Sequence, residues 1–240
     1  YVYGWGAGIF FLGYAIFEVP SNVILHRVGA RTWIARIMLS WAIVSGCMMF
    51  ITGPVSFFVV RFLLGVAEAG FFPGVLLYFT YWFPAAYRAR VISALFLAVP
   101  GSNAVAAALS GALLQMDGIW GLAGWKWMFL LESLPAVLLA PVVLKVLTDR
   151  PSAAGWLDPE EREWLVTRLD SEQRGLESAH RHLTLKQALT DRRVISLSLI
   201  YLTIVSATYG ITFFLPLILN AHGHSIMATG LLTAVPYVIG

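Results

Sequence analysis

An all-α, polytopic membrane protein is the architecture that the 240-residue sequence dictates. Three features carry it: a composition too apolar for a soluble domain, a series of apolar runs long enough to cross a bilayer, and a regular alternation of basic and bare connections between them. Hydrophobic residues make up 59% of the chain and charged residues 12%, against about 45–50% and about 25% in an ordinary soluble domain. A soluble fold must clothe itself in polar and ionised side chains to stay dispersed, so the bilayer is the solvent that suits this composition. A disordered chain and a nucleic-acid-binding module are excluded by the same numbers, because the formal net charge is only +3 and the aromatic share is 14%. Cys47 is the only cysteine, which rules out an intrachain disulfide or a cysteine metal cage and leaves a small hydrophobe in an apolar run.

A hydrocarbon core of about 30 Å takes about 20 residues of helix, a form that satisfies its backbone amides internally in lipid. Six complete runs meet that length, at residues 3–25, 33–51, 55–79, 91–115, 127–147 and 194–219, and a seventh opens near Ile226 and is still apolar at Gly240. The first run lacks the basic flank and cleavage site of a signal peptide and is followed by further spans. With no initiator Met and both ends in or beside apolar runs, the sequence is expected to be a piece of a longer protein.

Lys and Arg accumulate in cytoplasmic connections. Arg27, Arg31 and Arg36 flank the connection after the first run, Arg88 and Arg90 the one after the third, and nine basic residues from Lys145 to Arg193 the long one after the fifth. The alternate connections are nearly bare: residues 52–54 carry no charge, 116–125 carry only Asp117, and the turn at His222 and His224 has no Lys or Arg. The first run is therefore expected to pass from outside to inside. Trp5, Trp120, Trp125 and Trp127 then fall at the outer interface and Trp33 and Trp82 at the inner one. The basic pI of about 9.1 is a signal of orientation.

The long connection divides the chain into a membrane block at 1–148, a cytoplasmic segment at 149–192 and a second block opening at 193–240. Within the segment, Asp158 reads as an N-cap, Pro159 as the first helical residue and Glu161 as the third, closing a capping box. The helix is expected to reach about Gln173, with Trp164, Leu165 and Leu169 on a face opposite Glu161, Arg162 and Arg168, lying along the inner membrane surface or against the bundle.

An ionisable residue inside a span costs at least about 2.5–3.5 kcal/mol on insertion scales and is a functional candidate by default. Arg61 and Glu68 lie seven residues apart in the third run, almost two turns, so they share a face with Gly65 between them. At 1.5 Å per residue their Cα atoms are about 10.5 Å apart, which argues against a direct pair. Arg61 suits bidentate capture of a carboxylate, whereas Glu68 can load and release a proton; together they form a proton-coupled anion site, and a purely structural role is the competing reading. Glu18, followed by Pro20, Ser21 and Asn22, is read as a gating or structural group working with loop arginines, and Glu132 likewise as packing or gating. Tyr14, Asn103, Tyr201 and Tyr209 can each present a hydrogen-bonding tip to a cavity, and each can equally be a satisfied helix contact. Pro100-Gly101, Pro135 and Pro216 are candidate points of helix bending.

Four segments resemble the major facilitator superfamily, and more closely its anion:cation symporter branch. Residues 13–22 leading into Arg27-Val28-Gly29-Ala30-Arg31 resemble its second helix and loop signature; Arg61-Phe62-Leu63-Leu64-Gly65-Val66-Ala67-Glu68-Ala69-Gly70 resembles the fourth-helix signature. Gly124 to Glu132 resembles the start of the sixth helix, and Ala154-Gly155-Trp156-Leu157 with Glu160-Glu161-Arg162 the central loop. The resemblance implies a twelve-helix fold in two halves, of which this chain holds about helices two to eight. It also implies that Arg61 binds substrate carboxylate, that Glu68 carries the coupling proton and that Tyr14 lines the cavity, with Arg27, Gly29 and Arg31 belonging to the inner gate. Against the general loop pattern, Asn22, His26 and Ala30 replace a Gly, an Asp and an Arg, so Glu18 is the stand-in acid. The long Gly-Pro signature of drug/proton antiporters is missing from the fifth helix, which argues against multidrug export.

The expected function is proton-driven symport of a small organic carboxylate (a sugar acid, a tartrate-like dicarboxylate or an aromatic acid) by alternating access, in a plasma (inner) membrane, as a monomer, without cofactor or metal. An exchanger or facilitator without proton coupling and a non-transporting membrane sensor are the alternatives. A membrane enzyme is disfavoured, since the sequence has no His-Glu-x-x-His, Gly-x-Ser-x-Gly or phosphate-binding glycine loop.

Overall fold

In the computed structural model the described residues are 2–179, 185–223 and 232. Their helices are α1 (Val2–Val28), α2 (Ala30–Cys47, continued by a 3-10 turn Met48–Phe50), α3 (Pro54–Glu68), α4 (Phe71–Trp82), α5 (Ala85–Leu114), α6 (Gly124–Val146), α7 (Pro159–Ala179), α8 (Leu185–Thr190) and α9 (Arg192–Ala221), with no strand among the described residues. Five segments are long and apolar enough to span a membrane: Val2–Val28, Ala30–Phe50, Pro54–Trp82, Gly124–Val146 and Arg192–Leu215. The remaining complete run, at 91–115, lies in the 30-residue α5 up to Leu114, with Gln115 as its C-cap. The run opening at Ile226 lies outside the described residues. Two compact units are formed, Tyr1–Arg174 and Gly175–Gly240, and the division falls inside α7.

In the first unit α1 packs most extensively on α3 and α2 on α6. The α1–α3 seam is close enough to exclude side chains: a Cβ on Gly65 would strike the Phe10 carbonyl oxygen and lie 2.9 Å from the Tyr14 nitrogen, and one on Gly13 would lie 2.6 Å from the Phe62 carbonyl oxygen. Small residues permit such approach where lipid supplies no hydrophobic force between helices.

The third apolar run is not one helix. It breaks at Ala69 and Gly70, where Gly70 takes the left-handed conformation (φ 84°) before α4 begins at Phe71. The cause is local: Pro73 has no N–H to offer the Ala69 carbonyl four residues back, and only glycine enters the left-handed region without strain. By contrast α5 is continuous through Pro100-Gly101, α6 through Pro135 and Pro141, and α9 through Pro216, so the expected bending points are not where the chain is interrupted.

The basic connections meet at one end of the first unit. There the link after α6 clamps two others: the Thr148 carbonyl accepts from Tyr78 Oη (3.0 Å) and Trp82 Nε1 (3.1 Å) at the end of α4, and Asp149 Oδ1 accepts the Arg31 N–H (2.8 Å) at the start of α2. The Trp156 ring stacks on Trp82 at 5.5 Å, and Ala154 is fully buried. Helix α7 runs from Pro159, with the Asp158 carbonyl accepting the first helical bond from Arg162 N (2.9 Å), and reaches Ala179, beyond the expected end at Gln173. Its partly covered positions are Arg162, Leu165, Val166, Leu169 and Glu172, while Trp164 is 61% exposed. The expected face is thus rotated. Glu172 sets the rotation: its carboxylate accepts the Ala85 N–H (2.9 Å) at the start of α5 and pairs with Arg88 (3.6 Å) and Arg168 (3.4 Å), an acid placed where the helix dipole favours one.

Candidate functional site

Arg61 and Glu68 both belong to α3 and both are half-buried. Helix α1 supplies the surroundings of the guanidinium. Gly6, Phe10, Gly13 and Tyr14 recur at helical spacing along the side of α1 that meets α3. Arg61 Nε donates to the Gly6 carbonyl at 3.4 Å, and its guanidinium carbon stands 5.4 Å from the Phe10 ring centre and 5.9 Å from that of Phe57. Ring faces hold a cation without neutralising it. Among the described residues no ion pair engages Arg61, so the planar fork keeps donors for an incoming oxyanion. Tyr14, half-buried, lies along the same side with its ring centre 6.2 Å from that of Phe10.

Glu68 is the last residue of α3, one position before the break. No ion pair joins Arg61 and Glu68 among the described residues, as their spacing along the helix dictates. Just beyond Glu68, buried Ser21 Oγ donates to the Ala69 carbonyl at 2.7 Å, and Trp33 Nε1 donates to Ser21 Oγ at 2.9 Å.

The remaining candidates are dispersed. Glu18 is half-buried on α1, where its backbone carbonyl accepts from Asn22 Nδ2 (2.8 Å), and no ion pair links its carboxylate to Arg27 or Arg31 among the described residues. Continuous helix separates Glu18 from Arg27 by nine residues, about 14 Å at 1.5 Å rise. The acid that meets the loop is Asp149, beside Gly29 (φ 98°) and on the Arg31 N–H. Arg27 is exposed. Glu132 is exposed on α6 and accepts a hydrogen bond from Ser110 of α5. Asn103 lies on α5 with its side chain outside the described residues. Tyr201 and Tyr209 lie on α9 in the second unit, 63% and 41% exposed, the latter ring stacked on Phe213. No group of three metal-ligating side chains occurs among the described residues.

Ser21, Trp33 and Asp149 are the residues that sequence reading passed over as site elements. The pair Gly70 and Pro73 inside one apolar run is the sequence signal of the interrupted helix, and hence of a partner for its open carbonyl, that the reading of 55–79 as one span passed over.

Known proteins bear on this arrangement. Two proteins of Agrobacterium vitis, both named for tartrate transport, are each 51% identical to this chain over 235 residues, 98% of the chain and 52% and 54% of their own lengths. A quinolone resistance transporter of Acinetobacter baumannii is 44% identical over 239 residues, 99% of this chain and 55% of its own. The chain therefore spans about half the length of the curated relatives it matches. Its sequence matches the profile of one family from residue 1 to residue 240, and with helices of membrane-spanning length and a charged α3 packed on α1, the chain belongs to the Major Facilitator Superfamily.

Proposed function

We propose that the chain is part of a secondary active transporter that carries a small organic carboxylate together with a proton, with residues 1–148 as most of one helical bundle, 149–192 as the connection and 193–240 as the start of the second bundle. One observation carries the reading: a guanidinium flanked by rings and one carbonyl, with no carboxylate paired to it among the described residues, on the same helix as a carboxylic acid next to a helix break. A bound anion at Arg61 and a proton on Glu68 leave the closing cavity without net charge, whereas either alone leaves an uncompensated ion to bury. The relatives' names agree in chemistry, since tartrate is a dicarboxylate and quinolone drugs are aromatic carboxylic acids. Tyr14 completes the cavity wall, and Asn103, Tyr201 and Tyr209 are further candidates for substrate contact. The basic connections face the cytoplasm of a bacterial inner membrane, and the transporter works as a monomer.

The intact transporter in proteoliposomes tests this with tartrate and an aromatic carboxylate as probes. Arg61→Ala is expected to lower carboxylate affinity at least tenfold, and Glu68→Gln to abolish uptake driven by a pH gradient while leaving substrate exchange. Unchanged gradient-driven uptake in Glu68→Gln overturns the proton assignment and leaves an exchanger or facilitator; unchanged affinity in Arg61→Ala overturns the anion site. The quinolone-named relative favours outward movement as a second reading of direction, and the sign of the pH change outside the vesicle decides it.

A further inference from the structure

The break after Glu68 is held by residues of two other helices. In an unbroken helix the Ala69 carbonyl accepts the N–H of the residue four positions on, which here is Pro73 and has none. A buried carbonyl must find another donor. Ser21, 6% exposed on α1, supplies it at 2.7 Å. The direction of that bond is fixed by a third helix: the Trp33 indole N–H of α2 is a donor only, so Ser21 Oγ accepts from it at 2.9 Å and turns its own proton to Ala69. The space for the hydroxyl exists because residue 70 is glycine; a Cβ there would strike Ser21 Oγ and lie 3.4 Å from Asn22 Nδ2. Glu68 is thus the last helical residue before a carbonyl tied to α1 and, through one hydroxyl, to α2.

We propose that Trp33 and Ser21 form a directed hydrogen-bond relay that fixes the α3–α4 break and so positions the Glu68 carboxyl. Ser21 is a positioning residue: it acts through the backbone of Ala69 and touches neither substrate nor proton. Arg61, anchored seven residues earlier by Gly6 and two rings, does not depend on the relay, so severing it separates the placement of Glu68 from the anion site. This inference rests on Glu68 being the proton carrier.

The test is infrared spectroscopy of the intact transporter in lipid nanodiscs, reading the C=O stretch of the protonated Glu68 carboxyl at acid pH, identified as the band lost in Glu68→Gln. Ser21→Ala and Trp33→Phe are each expected to shift or broaden that band, Ser21→Thr to keep it near its original position, and Trp127→Phe at the start of α6, which removes an indole hydrogen bond to the Ile119 carbonyl, to leave it unmoved. Trp33→Phe keeps an aromatic side chain while removing the indole N–H, so it reports even where Ser21→Ala fails to fold. An unmoved band in both relay variants overturns the proposal, as does an equal shift in Trp127→Phe. Absence of any band that Glu68→Gln removes overturns instead the reading of Glu68 as proton carrier.

Discussion

Gly65 shows how one missing side chain sets the geometry of the charged site. Its hydrogen lies where a methyl group would strike the Phe10 carbonyl, so any larger residue pushes α1 off α3 and moves Phe10 and Gly6 away from Arg61. Gly65→Ala is expected to cost about 1–3 kcal/mol by overpacking and to weaken carboxylate binding as well; thermal unfolding in detergent with and without substrate measures both. At this scale Arg61 and Glu68 were legible because a charge inside an apolar run stands out by type alone. Ser21 and Asp149 were not. Their partners, Ala69 and Arg31, lie 48 and 118 residues away in sequence, and no periodicity marks a serine or a loop aspartate whose role is set by a distant carbonyl or N–H.

Helices were found where apolar content lasts long enough, and their interruptions were not. Gly70 and Pro73 barely alter the hydropathy of their run, so composition merges α3 and α4, while the prolines of α5, α6 and α9 lie in continuous helix. On α7 the apolar face holds at Leu165 and Leu169 and departs from expectation at Trp164 and Arg162, which exchange covered and exposed places on the side where Glu172 accepts the Ala85 N–H. The start of α2 has a comparable acid in Asp149. Asp149→Ala is expected to remove about 1 kcal/mol, the usual worth of a side chain capping a helix N-terminus, and Asp149→Asn to restore part of it. Equilibrium unfolding of the intact protein in mixed micelles measures the difference, and equal stability of the Ala and wild-type proteins excludes a capping role.

For the whole molecule, the alternation of basic and bare connections makes a topology that chemistry can check. In a Cys47→Ser background, an impermeant maleimide applied to intact cells is expected to label Thr52→Cys and to spare Ser171→Cys until the membrane is opened; both positions are exposed in the structure. The reverse pattern overturns the orientation. The membrane class and family were legible because they depend on summed composition and on motifs spread over most of the chain, whereas the clamp formed by Thr148, Asp149 and Trp156 where the basic connections meet depends on tertiary pairing alone. The left-handed residue at Gly70 has a last consequence, for angular phase. Each helical residue advances about 100°, so within α3 the azimuth of every side chain is locked to that of Arg61, while beyond Gly70 the count begins afresh. Gaining or losing one residue in α4 rotates only the faces of α4, and this span can change its length on that side of the break without turning the charged pair away from α1.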